Sequence, residues 1–200
     1  MTLVGEVHGR FVHTRRVERL GQHLAALMPD KASVLDIGCG DGRLARRIGE
    51  LKPGITVRGI DVLVRQGTAI PVDEFDGTHI PLADGAVDVA MMVDVLHHAD
   101  DPLALLREAT RVARTTVVIK DHLREGIAAG ATLRFMDWVG NARFGVRLTY
   151  KYWSREEWQK AFAETGLVVE QSREKLALYP QPSSLLFDRS LHFVARLRKA

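Results

Sequence analysis

The chain has 200 residues, 46% of them apolar and 26% charged, with one cysteine, eight histidines and a formal net charge of +3. This size fits one domain over residues 1–200 that buries roughly 70% of its unfolded surface and needs no disulfide or structural metal. A single cysteine excludes a disulfide scaffold and a thiolate-rich zinc module, and 28 Lys+Arg against 25 Asp+Glu, scattered along the chain, argues against a nucleic-acid footprint.

Met1–Arg19 is polar and basic and lacks the apolar core of a signal peptide. Apolar residues at Val17, Leu20, Leu24, Leu27 and Met28 predict a helix over Thr14–Met28, stopped by Pro29. Ser33–Ile37 reads as a buried strand, followed by a glycine turn at Gly38–Gly42 and a helix from Arg43 to Leu51. Ile55–Ile60 is a second strand closed by Asp61, and Val72–Phe75 a short third. Val87–Val93 is a fourth; the apolar run around it is broken by Asp88 and Asp94 and falls short of the ~18–20 residues of a membrane span. Asp101-Pro102 opens a helix to about Val112 as N-cap and first-turn proline. Thr115–Ile119 is a fifth strand, and Ser154–Glu157 is a capping box that starts a helix ending at Gly166. Leu167–Ser172 and Leu191–Leu197 complete seven strands, the last two close enough in sequence to pair antiparallel. Strands alternating with helices imply a mostly parallel α/β sheet covered on both faces. A cytoplasmic protein, monomer or homodimer, is expected.

The segment Val34-Leu35-Asp36-Ile37-Gly38-Cys39-Gly40-Asp41-Gly42 carries the most chemical information. Its glycines turn the chain sharply between strand and helix and leave the backbone bare, at the crevice where doubly wound sheets bind ligands. The spacing is G-x-G-x-G, not the G-x-G-x-x-G of dinucleotide binding, which disfavours a nicotinamide oxidoreductase. Asp61, 25 residues after Asp36, ends the next strand where a carboxylate can accept from a ribose diol.

With Gly59-Ile60-Asp61 downstream, VLDIGCGDG resembles the nucleotide-binding motifs of class I S-adenosylmethionine-dependent methyltransferases. The likeness extends to the loop Phe75–Leu82, to Ala86–Val89, to Asp94-Val95-Leu96-His97-His98, and to the helix Leu106–Val112 with its Glu108. It implies a Rossmann-like seven-stranded, mostly parallel sheet with an antiparallel edge, and S-adenosylmethionine as cofactor with S-adenosylhomocysteine as product. Carried over by position, it implies that Gly38, Gly40 and Gly42, with Cys39 in their turn, make room for the methionyl and ribose parts. Asp36 would support the methionyl ammonium, Asp61 hold the ribose hydroxyls, and Val62 pack on adenine. Asp76, beside Gly77, would accept from the adenine amino group, and the backbone near Asp94 would border the methionyl end. An alternative reading makes Asp76 a turn cap. The family usually fits a full helix after the second strand, but only Leu63–Ala69, with Gly67 inside, is available.

Between the fifth strand and the capping box, residues 123–153 form too long a connection and are rich in apolar and aromatic side chains. They read as a cap over the strand ends, with a helix over Ala131–Val139, where a small-molecule acceptor binds. Asp137, Trp138, Asn141, Tyr150 and Tyr152 are its candidate substrate contacts. His122 is the first candidate for a general base, with His97 and His98 next, and Asp121 can orient a histidine. No recognised metal-ligand spacing occurs. The family's Asn/Asp-Pro-Pro-aromatic tetrapeptide for methylating base amino groups is missing after the fourth strand. The acceptor expected is therefore a small molecule. The alternatives are an RNA or protein acceptor, favoured by Arg15, Arg16 and Arg19, or a cofactor-binding module without catalysis.

Overall fold

The computed structural model describes residues 3–141 and 149–200, with side chains described from residue 14 to 139 and from 149 onward. The element order is α1 (Leu3–Ala25), β1 (Ala32–Ile37), α2 (Arg43–Leu51), β2 (Ile55–Asp61), β3 (Val72–Glu74), β4 (Val87–Val93), a 3-10 turn (Leu96–His98), α3 (Pro102–Val112), β5 (Ala113–His122), α4 (Ala129–Asn141), α5 (Arg155–Glu164), β6 (Leu167–Arg173), α6 (Ser184–Phe187) and β7 (His192–Lys199). None of the helices is long and apolar enough to cross a membrane, among the described residues.

The seven strands form one sheet in the order β3-β2-β1-β4-β5-β7-β6. β1 to β5 pair in parallel, and β7 inserts antiparallel between β5 and β6. Side chains alternate along each strand, so each face gathers its own core. Val34, Val89, Met91, Val118 and Val194 pack beneath Leu20 and Leu24 of α1 and Ile48 of α2. On the other face, Leu35, Ile37, Met92, Val117 and Ile119 pack against Leu105, Leu106 and Ala109 of α3 and Trp158 and Phe162 of α5.

Local signals set most boundaries. The Asp101 carboxylate accepts from Ala104 N at 2.9 Å, with Pro102 at the first helical position. Ser154 and Glu157 form the capping box in both directions. Two boundaries differ. α1 begins at Leu3 rather than Thr14, and its last predicted turn, Ala26–Met28, lies outside the helix. β5 runs from Ala113 to His122, past the predicted Ile119, because β7 pairs with it through His122↔His192. Residues 63–69 hold no helix, in line with the short Leu63–Ala69 segment, and turn at 66–67 with Gly67 at φ +69.

α3 also anchors the loop after β3. Arg111 donates to the Ile80 and Leu82 carbonyls at 2.9 and 2.7 Å and to Glu108, while Glu108 accepts from Ile80 N at 2.9 Å. The Arg111 hydrogen bonds, helped by Ile80 N–H, hold the Glu108 carboxyl down at about 2. Arg111→Ala is expected to lower stability by about 1–3 kcal/mol, the range for leaving such polar groups unpaired. Urea denaturation of the two proteins measures it; a difference within 0.5 kcal/mol, roughly the scatter of a neutral surface change, counts against the anchor.

Candidate active site

β1 ends in the glycine turn. Gly38 N donates to Ile60 O at 2.7 Å, which ties the turn to the end of β2. Gly38, Gly40 and Gly42 all have positive φ, at 70°, 60° and 73°. Their surroundings differ. A Cβ on Gly38 would lie 2.6 Å from Val95 Cγ2, and one on Gly42 would lie 2.7 Å from Ile70 Cγ1. A Cβ on Gly40 would meet nothing within 4 Å. So the Cβ sides of Gly38 and Gly42 are filled by Val95 and Ile70, while that of Gly40 faces open space. Cys39 fills space in the turn: its thiol lies over Gly59, where a Cβ would overlap the sulfur, and burial raises its pKa strongly.

Two acids flank the turn. Asp61 Oδ2 accepts from Gly40 N at 2.7 Å and Oδ1 from Leu63 N at 3.0 Å, so the residue expected to hold a ribose also fixes the turn. A carboxylate offers about four acceptor sites, which leaves two for a ligand. Asp36 is 3% exposed, and its carboxyl is pushed up to about 8 by burial and then by the Asp61 charge. At neutral pH it is largely protonated unless a cation approaches.

Val62 is 57% exposed, with Val64 also exposed. Val62 Cγ1 stands 3.0 Å from where a Gly77 Cβ would be. Asp76 caps its own turn: Oδ1 accepts from Thr78 N, Thr78 Oγ1 and His79 N at 2.7, 2.8 and 2.7 Å. The turn-cap reading of this residue is what the geometry displays.

Beyond the turn, the carboxyl ends of β4 and β5 carry a buried polar cluster. Asp94, at φ 57, accepts from Lys120 and Arg16. Burial would raise its pKa, but Lys120, Arg16 and the nearby histidines hold it well below the usual range. Lys120 is fully buried, and burial outweighs Asp94 in lowering its pKa. His97 Nδ1 lies 2.6 Å from Asp121 Oδ1. Burial disfavours the charged His97 ring, yet Asp121, with Asp94 and Asp137, raises its pKa overall. His122, the last residue of β5 rather than one beyond it, places Nδ1 at 3.3 Å from Asp121 Oδ1 and 3.5 Å from Asp94 Oδ1. Burial, with Lys120 and His97, pushes its pKa down to about 4.

The predicted cap returns to this cluster. Thr149 Oγ1 and Lys151 N both donate to His97 O, at 2.5 and 3.3 Å. Tyr152 OH donates to Asp137 Oδ2 at 2.9 Å, and His98 Nε2 lies 3.5 Å from Asp137 Oδ1. Tyr150 is half-buried beneath Arg134, 5.6 Å from its ring centroid. Trp138 is 57% exposed. The Asn141 side chain lies outside the described residues.

Sequence reading missed three members: Arg16, Lys120 and His192, whose Nδ1 lies 3.3 Å from Lys120 Nζ. Two left a trace. Arg16 lies one helical turn before Leu20, on the apolar face of α1, and Lys120 closes an otherwise apolar strand run. His192 needed the β5–β7 register.

A methyltransferase-domain family model matches residues 8–172. The chain belongs to this methyltransferase family. It is 29% identical over 184 residues to 27-O-demethylrifamycin SV methyltransferase of Amycolatopsis mediterranei, covering 82% of this chain and 65% of that protein. It is 30% identical over 148 residues to an uncharacterised methyltransferase of Mycobacterium sp. (strain JLS), covering 70% of this chain and 58% of that one. The chain thus spans about three fifths of the length of these relatives. A S-adenosylmethionine-dependent methyltransferase of Thermotoga maritima has the same fold: TM-score 0.67 at 21% identity, over 98% of this chain and 96% of that one.

The methyltransferase turn supports two predictions. Gly38→Ala drives a methyl into Val95 at positive φ and is expected to cost about 1–3 kcal/mol. Adding Val95→Ala recovers part of that loss in a double-mutant cycle, and purely additive effects would show that the two residues do not meet. Asp36 has a raised folded pKa, so the stability it contributes is present below the ordinary value near 3.8 and lost as pH rises toward 8. Asp36→Asn is expected to lose less stability than the parent between pH 5 and pH 8, read from urea midpoints; parallel curves would contradict the shift.

Proposed function

We propose that this chain transfers a methyl group from S-adenosylmethionine to a hydroxyl of a small-molecule acceptor. The observation that carries the reading is one row of chemically active groups at the carboxyl ends of β1, β2, β4 and β5. It joins the bare backbone at Gly40, the acids Asp36 and Asp61, and the buried histidines beyond Asp94. The residues fit the cofactor. Asp36, costly to ionise alone, suits the cationic methionyl end, and Asp61 retains acceptor sites for a ribose. The exposed Val62 offers an apolar wall to a base. Bound there, the cofactor supplies an activated methyl on a sulfonium.

The chain's own groups then have three tasks. They align the acceptor oxygen, exclude water and remove the hydroxyl proton. His122 is the proposed base: its ring stands at the end of β5, and a proton taken up there is flanked by Asp121 and Asp94. Asp121 is a positioning residue, accepting from His122 N at 2.8 Å and holding the His97 ring. The near-complete burial of His97, Asp121 and Asp137 favours an acceptor that inserts one small group. One relative is named for a small molecule defined by its missing O-methyl group, which agrees. Of the three arginines behind the RNA or protein reading, Arg16 turns inward to Asp94. Residues 123–153 serve in this reading as the acceptor cap.

Calorimetry is expected to show S-adenosylhomocysteine binding, weakened by about 1.5–3 kcal/mol in Asp61→Ala, the range for charge-assisted hydrogen bonds. In a screen of phenolic and aliphatic hydroxyls with methyl-labelled cofactor, His122→Gln is expected to lower kcat by about 10²–10⁴-fold with KM little changed. Absence of cofactor binding at millimolar concentration defeats the proposal. Intact binding with no acceptor methylated points to the non-catalytic module instead.

A further inference from the structure

α4 buries its acid and exposes its aromatic residues. Leu133 is fully buried, and Asp137, the one acid of the helix, is buried with its carboxylate toward Tyr152 and His98. On the outer face, Phe135, Trp138 and Val139 are each more than half exposed. Spacings of three and four residues set these side chains in one stripe. A helix at the surface of a soluble domain ordinarily shows the reverse pattern, apolar residues in and polar residues out.

The stripe continues onto α6. The Phe135 and Phe187 rings stack with centroids 6.5 Å apart, and Arg189 Nη2 donates to Thr132 Oγ1 at 2.9 Å, so α6 and the turn after it lie against α4. Leu185 and Leu186 on α6 are exposed, and Ile127, two residues before α4, is almost fully so. Continuous exposed apolar surface of this kind marks a contact with a partner.

The charges on this surface select the partner. Arg134 and Arg189 are exposed, and both meet neutral groups: Arg134 stands over the Tyr150 ring, and Arg189 holds Thr132. The acids of the same two elements turn inward. Asp137 is buried, and Asp188 accepts from Leu178 N and Tyr179 N at 3.0 Å each. A second copy docked face to face would set like arginines near one another with no acid of α4 or α6 to pair them. An anionic lipid surface satisfies both features. Its acyl boundary receives the apolar side chains, a tryptophan suits the headgroup level, and lipid phosphates meet the arginines.

We propose that the outer face of α4, together with α6, lies on an anionic phospholipid surface, with Phe135, Trp138, Val139, Leu185 and Leu186 entering the headgroup boundary and Arg134 and Arg189 meeting phosphates. A helix laid in the plane of the surface needs no membrane-crossing length. This contact and the methyl-transfer reading stand independently of each other.

The test is flotation of the full chain with vesicles of phosphatidylcholine alone and of phosphatidylcholine and phosphatidylglycerol in equal parts. The chain is expected to float with the mixed vesicles, to stay behind with the neutral ones, and to be released by raised salt. Trp138→Glu and Phe135→Glu are each expected to weaken partition by about tenfold or more. Arg134→Ala and Arg189→Ala are expected to weaken it about fivefold each. Val168→Glu, at an exposed apolar residue on β6, is expected to change nothing. Tryptophan emission is expected to shift to the blue on mixed vesicles, and Trp138→Phe to bind without that shift. Circular dichroism and urea midpoints check that each variant folds; because Trp138→Phe keeps an apolar ring, it carries the test if the glutamate variants do not fold. No flotation with mixed vesicles overturns the proposal. So does flotation that neutral vesicles match or that Trp138→Glu leaves unchanged, and so does a blue shift that persists in Trp138→Phe. Dimers that Trp138→Glu dissociates, with no vesicle binding, also overturn it and assign the face to a second copy.

Discussion

The Asp94 carboxylate is the charge on which the rest of the site is arranged. It sits at the end of β4 at φ 57, and burial alone would drive it to its neutral form. Two cations from elsewhere in the chain prevent this: Lys120 from β5 and Arg16 from α1. A buried charge is tolerated only when paired and hydrogen-bonded. The three residues therefore lock the N-terminal helix, the fourth strand and the fifth strand to one another at the crevice. Lys120 can be fully buried only because Asp94 is there, and the neutral His192 ring lies 3.3 Å from its ammonium. Removing one partner would leave an uncompensated charge in the core.

That arrangement separates two environments within a short stretch of chain. Toward β1 and β2 the walls are acidic: Asp36 and Asp61 surround a turn with open space beside Gly40. Toward β5 and α4 the walls are imidazole and carboxylate, with phenols from the returning segment, and His97, Asp121 and Asp137 are buried. An acidic half suits a cation, and a buried histidine half suits proton transfer. Asp94 stands between them with its charge already neutralised.

Much of this was readable from residue order. The turn VLDIGCGDG, the acid closing β2 and the capping residues Asp101 and Ser154 act on neighbours a few positions away, so their geometry follows from local sequence. The same locality limits what residue order displays. Gly38 and Gly42 read as ligand space, and the neighbours on their Cβ side are Val95 and Ile70, from distant segments. Asp76 read as an adenine contact or a turn cap, and its Oδ1 accepts from Thr78 and His79, two and three positions on. Trp138 and Asp137 are adjacent on one helix, and only packing decided that Asp137 faces inward.

By itself the sequence determined the alternation of strands and helices, the chemical character of the crevice and the family to which the motifs point. Periodicity and capping depend on spacings of two to four residues, and a single chain displays them. The tertiary structure decided which polar residues meet. Arg16 and Asp94 are 78 positions apart, and Lys120 and His192 are 72 apart. Their pairing depends on sheet order and on the antiparallel register that sets His122 opposite His192. It also decided the protonation of Asp36 and His122, because burial and neighbouring charges shift a titration and neither is written in the residue's name.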